Sequence, residues 1–489
     1  VVLICGGGRR TAPLFICEMS DFNSDPEESQ DDKEFEENLR RFEQMLSNGQ
    51  PQFFDADDIE EIVDYYLQWL NYENAKKAID YGLERFPYSA IIKIRYAQYL
   101  SSQHYTHEAL TILNEVEQIE QGNFDLYMAR GYIYSQMGLG EQAIENFKKA
   151  IPLAEFKDEV YVALGIEFLN EDKASDAMYY LKKAIRLNPR NDVALNELSL
   201  CFDLTGKSNE AVSFFSEYID SHPYSHYAWF NLGLAYGRIG LYEKAIEAYD
   251  YALAINEQFG SAYFNKANAL AQLSRFEEAI DVYKETLKQE DQDPLTYYYL
   301  GECYENLNRF EEALVNYNKC VKLDPANGDG WLGIGVVLDA MNRLTEGIHY
   351  IKKAIEINPN ESEYWYVFAE IQQKLGFYEE SALAFQRVIE LEYNDYDVWL
   401  DYSKLLHEAG YIKDSIATLS EGIKHFPAVA ELYYRMGIML LEKQKRKESL
   451  EFFTRALELD YSQHEKIFEY APILQNDQEL LNLISHHKK

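Results

Sequence analysis

The chain is short of positive charge. Its 489 residues hold 46 lysines and arginines against 83 aspartates and glutamates, a formal net charge of −37. A chain so acidic repels a phosphate backbone unless it gathers a local basic stripe. None is visible: Lys148-Lys149, Lys182-Lys183 and Lys352-Lys353 alternate with acidic neighbours and read as a solvated outer face. Nucleic acid is therefore not an expected partner. Cysteine is also scarce. Five cysteines without regular spacing make no disulfide framework. Cys201, Cys303 and Cys320 fall within helical patterns and read as reduced core thiols, which points to the cytoplasm. No run of about eighteen apolar residues occurs, so no transmembrane helix and no membrane partner are expected.

Motifs that carry chemistry are missing too. There is no nucleophile elbow, no H-E-x-x-H and no C-x-x-C pair. His104 and His107, with Glu108 beside them, are spaced for a shared metal but lack a third partner nearby. Val1–Cys5 followed by Gly6, Gly7 and Gly8 resembles a strand entering a phosphate loop, yet Thr11-Ala12-Pro13 stands where a helix should begin. No enzyme, cofactor or metal is expected.

Proline is scarce as well, and its placement is informative. Of twelve prolines, six recur at one phase of a 34-residue period: Pro87, Pro189, Pro223, Pro325, Pro359 and Pro427. Taking His226 as position 1, these are position 32. Position 20 reads Ala75, Ala109, Ala143, Ala177, Ala211, Ala245, Ala279, Ala313, Gly347, Ser381, Ser415 and Ser449, all small. Position 8 is Gly, Ala or Ser in every unit but the first, which has Val63. Position 24 is always large and apolar, as in Phe147, Tyr249, Tyr283, Tyr317, Phe385 and Phe453. Apolar spacing of three to four residues within each unit predicts two helices and a turn. Small residues at 8 and 20 admit close helix approach, and the large residue at 24 fills the space beside it. Proline at 32 stops the second helix. A helix pair of this size cannot bury its own face, so the units stack. Twelve units run without insertion from residue 56 to residue 463.

These residues resemble the tetratricopeptide repeat (TPR) family. The W-x2-L-G-x2-Y…A…P signature is readable in Trp229, Leu232, Gly233, Tyr236 and Ala245, and again in Tyr297, Leu300, Gly301, Tyr304, Ala313 and Pro325. The resemblance implies an all-α solenoid, a right-handed superhelix, with partners bound in its concave groove. It also implies that positions 2, 5, 6, 9, 12 and 13 of each first helix line that groove.

The ends depart from the pattern. Residues 1–18 are expected to be foreign to the fold, such as translated upstream sequence, with Met19 as a natural start. Residues 19–33 read as an acidic disordered arm. Residues 34–55 read as a capping helix and linker, with Phe35, Leu39, Phe42 and Leu46 as one apolar stripe. Residues 464–489, with Ile467, Tyr470, Ala471, Leu480, Leu481 and Ile484, read as a C-terminal cap and tail.

Read through the implied groove positions, the repeats fall into three zones. Repeat one is acidic: Asp57, Glu60, Glu61 and Asp64. Repeats five to eight are aromatic and amide-rich: Asn196, Tyr227, Phe230, Asn231, Phe264, Asn265, Asn268, Tyr298 and Tyr299. Repeats ten to twelve mix charges: Lys374, Asp401, Lys404, His407 and Arg435. The middle zone is the candidate peptide site. An asparagine amide matches a peptide unit, one acceptor and two donors, and tyrosine adds contact area with a polar tip. Asn231 and Asn265 share position 6, which resembles a short version of the asparagine ladder of the O-linked N-acetylglucosamine transferase. The family's carboxylate clamp is not matched: of its five positions only Asn265 fits. The expected function is a non-enzymatic scaffold for an extended peptide or partner helix. The first alternative is a regulatory subunit that docks an enzyme through the acidic arm, which truncating 19–50 tests; the second is an unrecognised enzyme or metal-binding protein, which metal analysis of the purified protein tests.

Overall fold

Short-range chemistry sets the period before any packing does. The structure, a computed structural model, describes residues 30–289, 292–391 and 395–487. Helices Ala56–Gln68 and Tyr72–Arg85 form the first of twelve pairs, and Ala430–Glu442 and Arg446–Leu459 form the last. We number these pairs one to twelve, each with the 34 positions used above. No strand occurs among the described residues. Asp55, Ser89, Asn123, Asn191, Ser225, Asp293 and Asn327 cap first helices by accepting an N–H near their start.

The turn inside each pair is fixed by one backbone state. Position 15 is left-handed in all twelve pairs. Glycine fills it at 138, 206, 240, 376 and 410, where the absence of a side chain removes the cost of positive φ. Asp172, Asn308 and Asn342 tolerate it through their short polar side chains. The N–H of position 16 then reaches back to the carbonyl of position 11, as Leu241 does to Tyr236 at 2.9 Å. Leu70 holds this state at φ 56° and is 67 % exposed. Leu70→Gly is expected to stabilise pair one by about 1 kcal/mol, since it relieves the left-handed strain and gives up no buried contact. Slower amide exchange in helix Ala56–Gln68 is the check.

Packing follows the small and large positions. Position 24 is buried in every pair, from Ile79 to Phe453. At Gly233 an added Cβ would lie 2.4 Å from the Tyr249 ring, so the helix approaches as closely as a residue without a side chain allows. The same contact joins Gly131 to Phe147 and Gly437 to Phe453. Where position 20 is serine, its hydroxyl donates to the facing carbonyl of position 8: Ser381 to Ala369, Ser415 to Ser403 and Ser449 to Gly437, at 2.7, 2.8 and 2.7 Å. Successive pairs are latched through position 32. Trp229 Nε1 donates to the Pro223 carbonyl at 2.9 Å, Trp331 to Pro325 at 3.0 Å, and Trp365 to Pro359 at 2.9 Å.

The chain divides into two units, residues 1–257 and residues 258–489. The first contains pairs one to six, the second pairs seven to twelve and the C-terminal helices. Each is an all-α solenoid of stacked pairs.

In unit one, helix Gln30–Asn48 begins within the stretch expected to be disordered, so residues 30–33 are helical rather than part of an arm. Expectations for residues 1–18 and 19–29 lie outside the described residues. Phe42 is fully buried against Phe54, Tyr66 and Tyr81, and Phe35 meets the Tyr65 ring at 5.6 Å. Leu46 corrects the expected stripe: it is 38 % exposed, and Met45 packs against the core in its place. In unit two, Ile467, Leu480 and Ile484 are buried against the last pair, as a cap requires. Among the described residues no helix is long and apolar enough to cross a membrane.

Candidate functional site

The first helices present positions 2, 5, 6, 9, 12 and 13 on one face. A recurring offset governs this face: position p of one first helix meets position p+1 of the next. Offsets of 35 residues join Asn196 to Asn231 and Asp203 to Arg238 in unit one. They join Asp329 to Tyr364, Asp339 to Lys374, Tyr366 to Asp401, Gln373 to Glu408 and His407 to Glu442 in unit two. Polar groups expected to face a ligand are thus partly spent on stitching neighbouring pairs.

The candidate residues fall in both units, and each group stands within its own. In unit one, Asn231 is 1 % exposed, and its Nδ2 donates to Asn196 Oδ1 at 2.8 Å. This corrects the expectation that Asn231 offers its amide to a peptide. The bond to Asn196 compensates its burial, and an unmade bond there would be costly. Tyr227 is half-buried with its ring 4.3 Å from His226, and Phe230 leans on the core ring of Tyr249 at 5.8 Å. Burial raises the Asp203 carboxyl even though Arg238 sits 3.0 Å away and pulls it down.

In unit two, aromatic rings dominate. Phe264 meets Tyr299 at 5.7 Å and Tyr283 at 5.9 Å, and Tyr299 stacks on Tyr283 at 6.1 Å. Tyr298 touches Tyr299 at 5.2 Å and donates its hydroxyl to Glu302 Oε1 at 3.0 Å. Burial, then the Glu302 charge, pushes the Tyr298 hydroxyl far above its ordinary value, so it remains a donor at every working pH. Phe264, Tyr298 and Tyr299 keep part of each ring accessible. The asparagines differ from expectation. Asn268 Oδ1 accepts from the buried Tyr283 hydroxyl, so it supports the core beneath the rings. Asn265 Nδ2 donates to the Ser261 carbonyl at 2.9 Å within its own helix. Asn231 and Asn265 lie in different units.

The acidic zone of pair one has a partner that zoning by single repeats missed. Arg95, on the first helix of pair two, holds Glu60 and Asp64 at 2.6 Å each. It was legible at position 6, one place on from Glu60 at position 5, but the offset that joins them was not. In pairs ten to twelve, Lys374 is bound to Asp339 at 2.5 Å and His407 to Glu442 at 2.6 Å. Arg435 lies over the Tyr470 ring at 4.7 Å, and Lys404 is exposed.

Two further places bear on function. No group of three metal-ligating side chains occurs among the described residues, His104 and His107 included. A cavity of about 430 Å³ opens on the second-helix side of unit two, lined by Leu287, Tyr297, Tyr304, Val315 and Lys319 among others. It lies apart from the candidate residues, and no pattern in the sequence singles it out.

Family models described as tetratricopeptide repeat match residues 124–155, 222–258, 230–294, 294–327, 328–361 and 430–463. No curated protein matches the sequence. Among solved structures, the chain is similar to the APC/C hetero-tetramer Cut9-Hcn1 at 16 % identity, covering 87 % of this chain and 93 % of that one, with a TM-score of 0.41. It is similar to a tetratricopeptide repeat protein from Parabacteroides merdae at 18 % identity, covering 51 % and 98 %, TM-score 0.41. A MamA RS-1 ArsTM double mutant is 22 % identical over 34 % of this chain and 94 % of that one, TM-score 0.33.

Proposed function

Because the chain is a tetratricopeptide repeat protein, we infer that it is a protein-interaction scaffold that holds an extended segment or a partner helix against its first-helix faces. The observation that carries this reading is the aromatic patch of unit two. Tyr299 is in ring contact with both Phe264 and Tyr298, and all three are half-buried on a core fixed by Tyr283 and Asn268. Rigid rings with an accessible edge bury much area at little entropic cost, which is the chemistry of interface hot spots. A side-chain hydrogen bond from the Tyr299 hydroxyl to the main chain of the segment would add register. No bond is made or broken in this reading, and no cofactor is needed.

The test is an affinity capture from native lysate with mass spectrometry, using the full chain beside Phe264→Ala/Tyr298→Ala/Tyr299→Ala. Each lost hot-spot ring costs about 2 kcal/mol or more, so a partner of the wild type should be lost more than tenfold at unchanged helicity. Asn231→Ala should retain the partner, because its amide is spent inside the fold. A partner kept by the triple variant would contradict the reading and turn attention to the acidic arm.

A further inference from the structure

In unit one, cations answer carboxylates across the first-helix faces. Arg95 binds Glu60 and Asp64 and lies 3.8 Å from Asp125, and Arg238 sits 3.0 Å from Asp203. Burial pushes even the Glu60 carboxyl, with that guanidinium beside it, up to about 7. Pairs eight and nine of unit two differ. Their first helices, Pro294–Asn306 and Gly328–Ala340, hold Glu302, Glu305, Asp329 and Asp339 but no lysine, arginine or histidine. Asp339 takes Lys374 of pair ten at 2.5 Å, and Glu305 takes the Tyr317 hydroxyl at 2.7 Å. Glu302 and Asp329 are left with neutral tyrosine hydroxyls: Tyr298 donates to Glu302 Oε1 at 3.0 Å, and Tyr364 donates to Asp329 Oδ1 at 2.6 Å. Among the described residues the second oxygen of each makes no hydrogen bond, and no ion pair reaches either group.

Carboxylates alone name no ligand; the accessible rings beside them are an independent observation. Phe264, Tyr298 and Tyr299 are each half-buried, and Tyr299 touches the other two. The face of an aromatic ring carries negative potential and attracts a cation. Tyr298 holds Glu302 on its own hydroxyl. Burial, then Glu302 and Asp329, pushes both the Tyr298 and the Tyr299 hydroxyls up, so the two carboxylates border these rings rather than a separate place. Glu302 is itself raised by burial; the Tyr298 hydroxyl pulls it down, and Glu305, Asp329 and Glu363 push it up again. Ring faces and carboxylates without a counter-charge thus meet at one place, and both favour a positive charge. Arginine suits them better than lysine. Its planar guanidinium stacks on a ring while its N–H groups donate to a carboxylate.

We propose that the aromatic patch of unit two takes an arginine side chain of the bound segment. The guanidinium stacks on the rings of Tyr298 and Tyr299 and donates to Glu302 Oε2, with Asp329 as the second negative charge beside it. The apolar stem of the arginine lies against Phe264. This anchor rests on the reading that the patch meets a protein segment, and it gives the chemistry of the residue held there.

The test is fluorescence anisotropy on the full chain at about 0.15 M ionic strength, with a labelled short peptide of alternating glycine and arginine. The same peptide with citrulline for arginine keeps the planar shape and loses the charge; with lysine it keeps the charge and loses the plane. The arginine peptide should bind, the lysine peptide should bind about three- to tenfold more weakly, and the citrulline peptide should not bind. Glu302→Gln/Asp329→Asn should weaken arginine-peptide binding about tenfold. Its melting temperature should hold, because each new amide oxygen still accepts from its tyrosine hydroxyl. Tyr299→Leu keeps the test open if that variant fails to fold, and should weaken binding about three- to tenfold. Glu379→Gln/Glu380→Gln removes the same charge from exposed positions on the second helix of pair ten and should leave affinity within about twofold. Absence of arginine-peptide binding, equal binding of the citrulline or lysine peptide, or equal losses in the two charge variants would overturn the proposal. Capture of a partner that is lost by Phe264→Ala/Tyr298→Ala/Tyr299→Ala but kept by Glu302→Gln/Asp329→Asn would also overturn it, and would leave the reading of the aromatic patch standing.

Discussion

Tyr317→Ala is expected to cost about 3–5 kcal/mol, the range for removing a large buried aromatic side chain. Tyr317 is 1 % exposed at position 24 of pair eight. Its ring closes on Gly301 of its own pair and Gly333 of the next; a Cβ added at either would lie 2.5 or 2.6 Å from it. One side chain therefore fills the seam between two pairs. Neither facing residue carries a side chain that could move into the space, because both are glycine. Tyr317→Phe should cost about 1–2 kcal/mol, since it removes only the hydroxyl that donates to Glu305 Oε2 at 2.7 Å. Stacked pairs open locally rather than all at once. Amide exchange should thus accelerate in pairs eight and nine for Tyr317→Ala, with pairs one to three unchanged. Equal acceleration along the whole chain would contradict this picture of independent seams.

Arg95→Leu is expected to destabilise unit one by about 2–3 kcal/mol near pH 8. This is below the 3–5 kcal/mol of a fully buried pair, because Asp64 and Asp125 still reach water. The loss should shrink towards pH 5. Glu60 is held up to about 7 in the fold against an ordinary value of 4.5. A carboxyl raised in the folded state contributes stability that is fully present below its unfolded value and is lost as pH rises through the folded one. The wild type should therefore lose stability in pair one between about pH 4.5 and 7. Glu60→Gln should flatten that slope. Exchange of the amides of helix Ala56–Gln68 against pH, in the wild type and both variants, is the measurement. A wild-type slope of opposite sign would refute the burial argument.

Most of the architecture was legible because the same physical constraint recurs in every pair. Small residues at position 8 in eleven of the twelve pairs, facing a large one at position 24 in every pair, leave one way to pack. The left-handed turn at position 15 was only partly legible: Gly240 and Asn308 advertise it, whereas Leu70, His104, Ser274 and Gln444 hold it against their own preference. The site was less legible. A position in the repeat tells which face a side chain takes but not how deep it sits. Asn231 and Asn265 share position 6, yet Asn231 is buried and joined to Asn196 whereas Asn265 is half-buried and bonded within its own helix. The 35-residue offset that spends Lys374, Asp401 and His407 depends on how neighbouring helices are displaced along their axes. No single repeat carries that information. Leu46 and Met45 show the same limit at a helix end, where one residue of rotation decides which side chain is covered.

The central claim is that the first-helix face, rather than the second-helix side, meets the partner. A photo-reactive phenylalanine analogue placed at Tyr298 tests it most directly, with the same group at Val315, which is 56 % exposed on the other side of pair eight. Both variants keep the fold's packing positions at 8, 20 and 24. Crosslinking to the captured partner from position 298, with none from 315, is the predicted result. Crosslinking from 315 with none from 298 would place binding on the second-helix side and contradict the assignment.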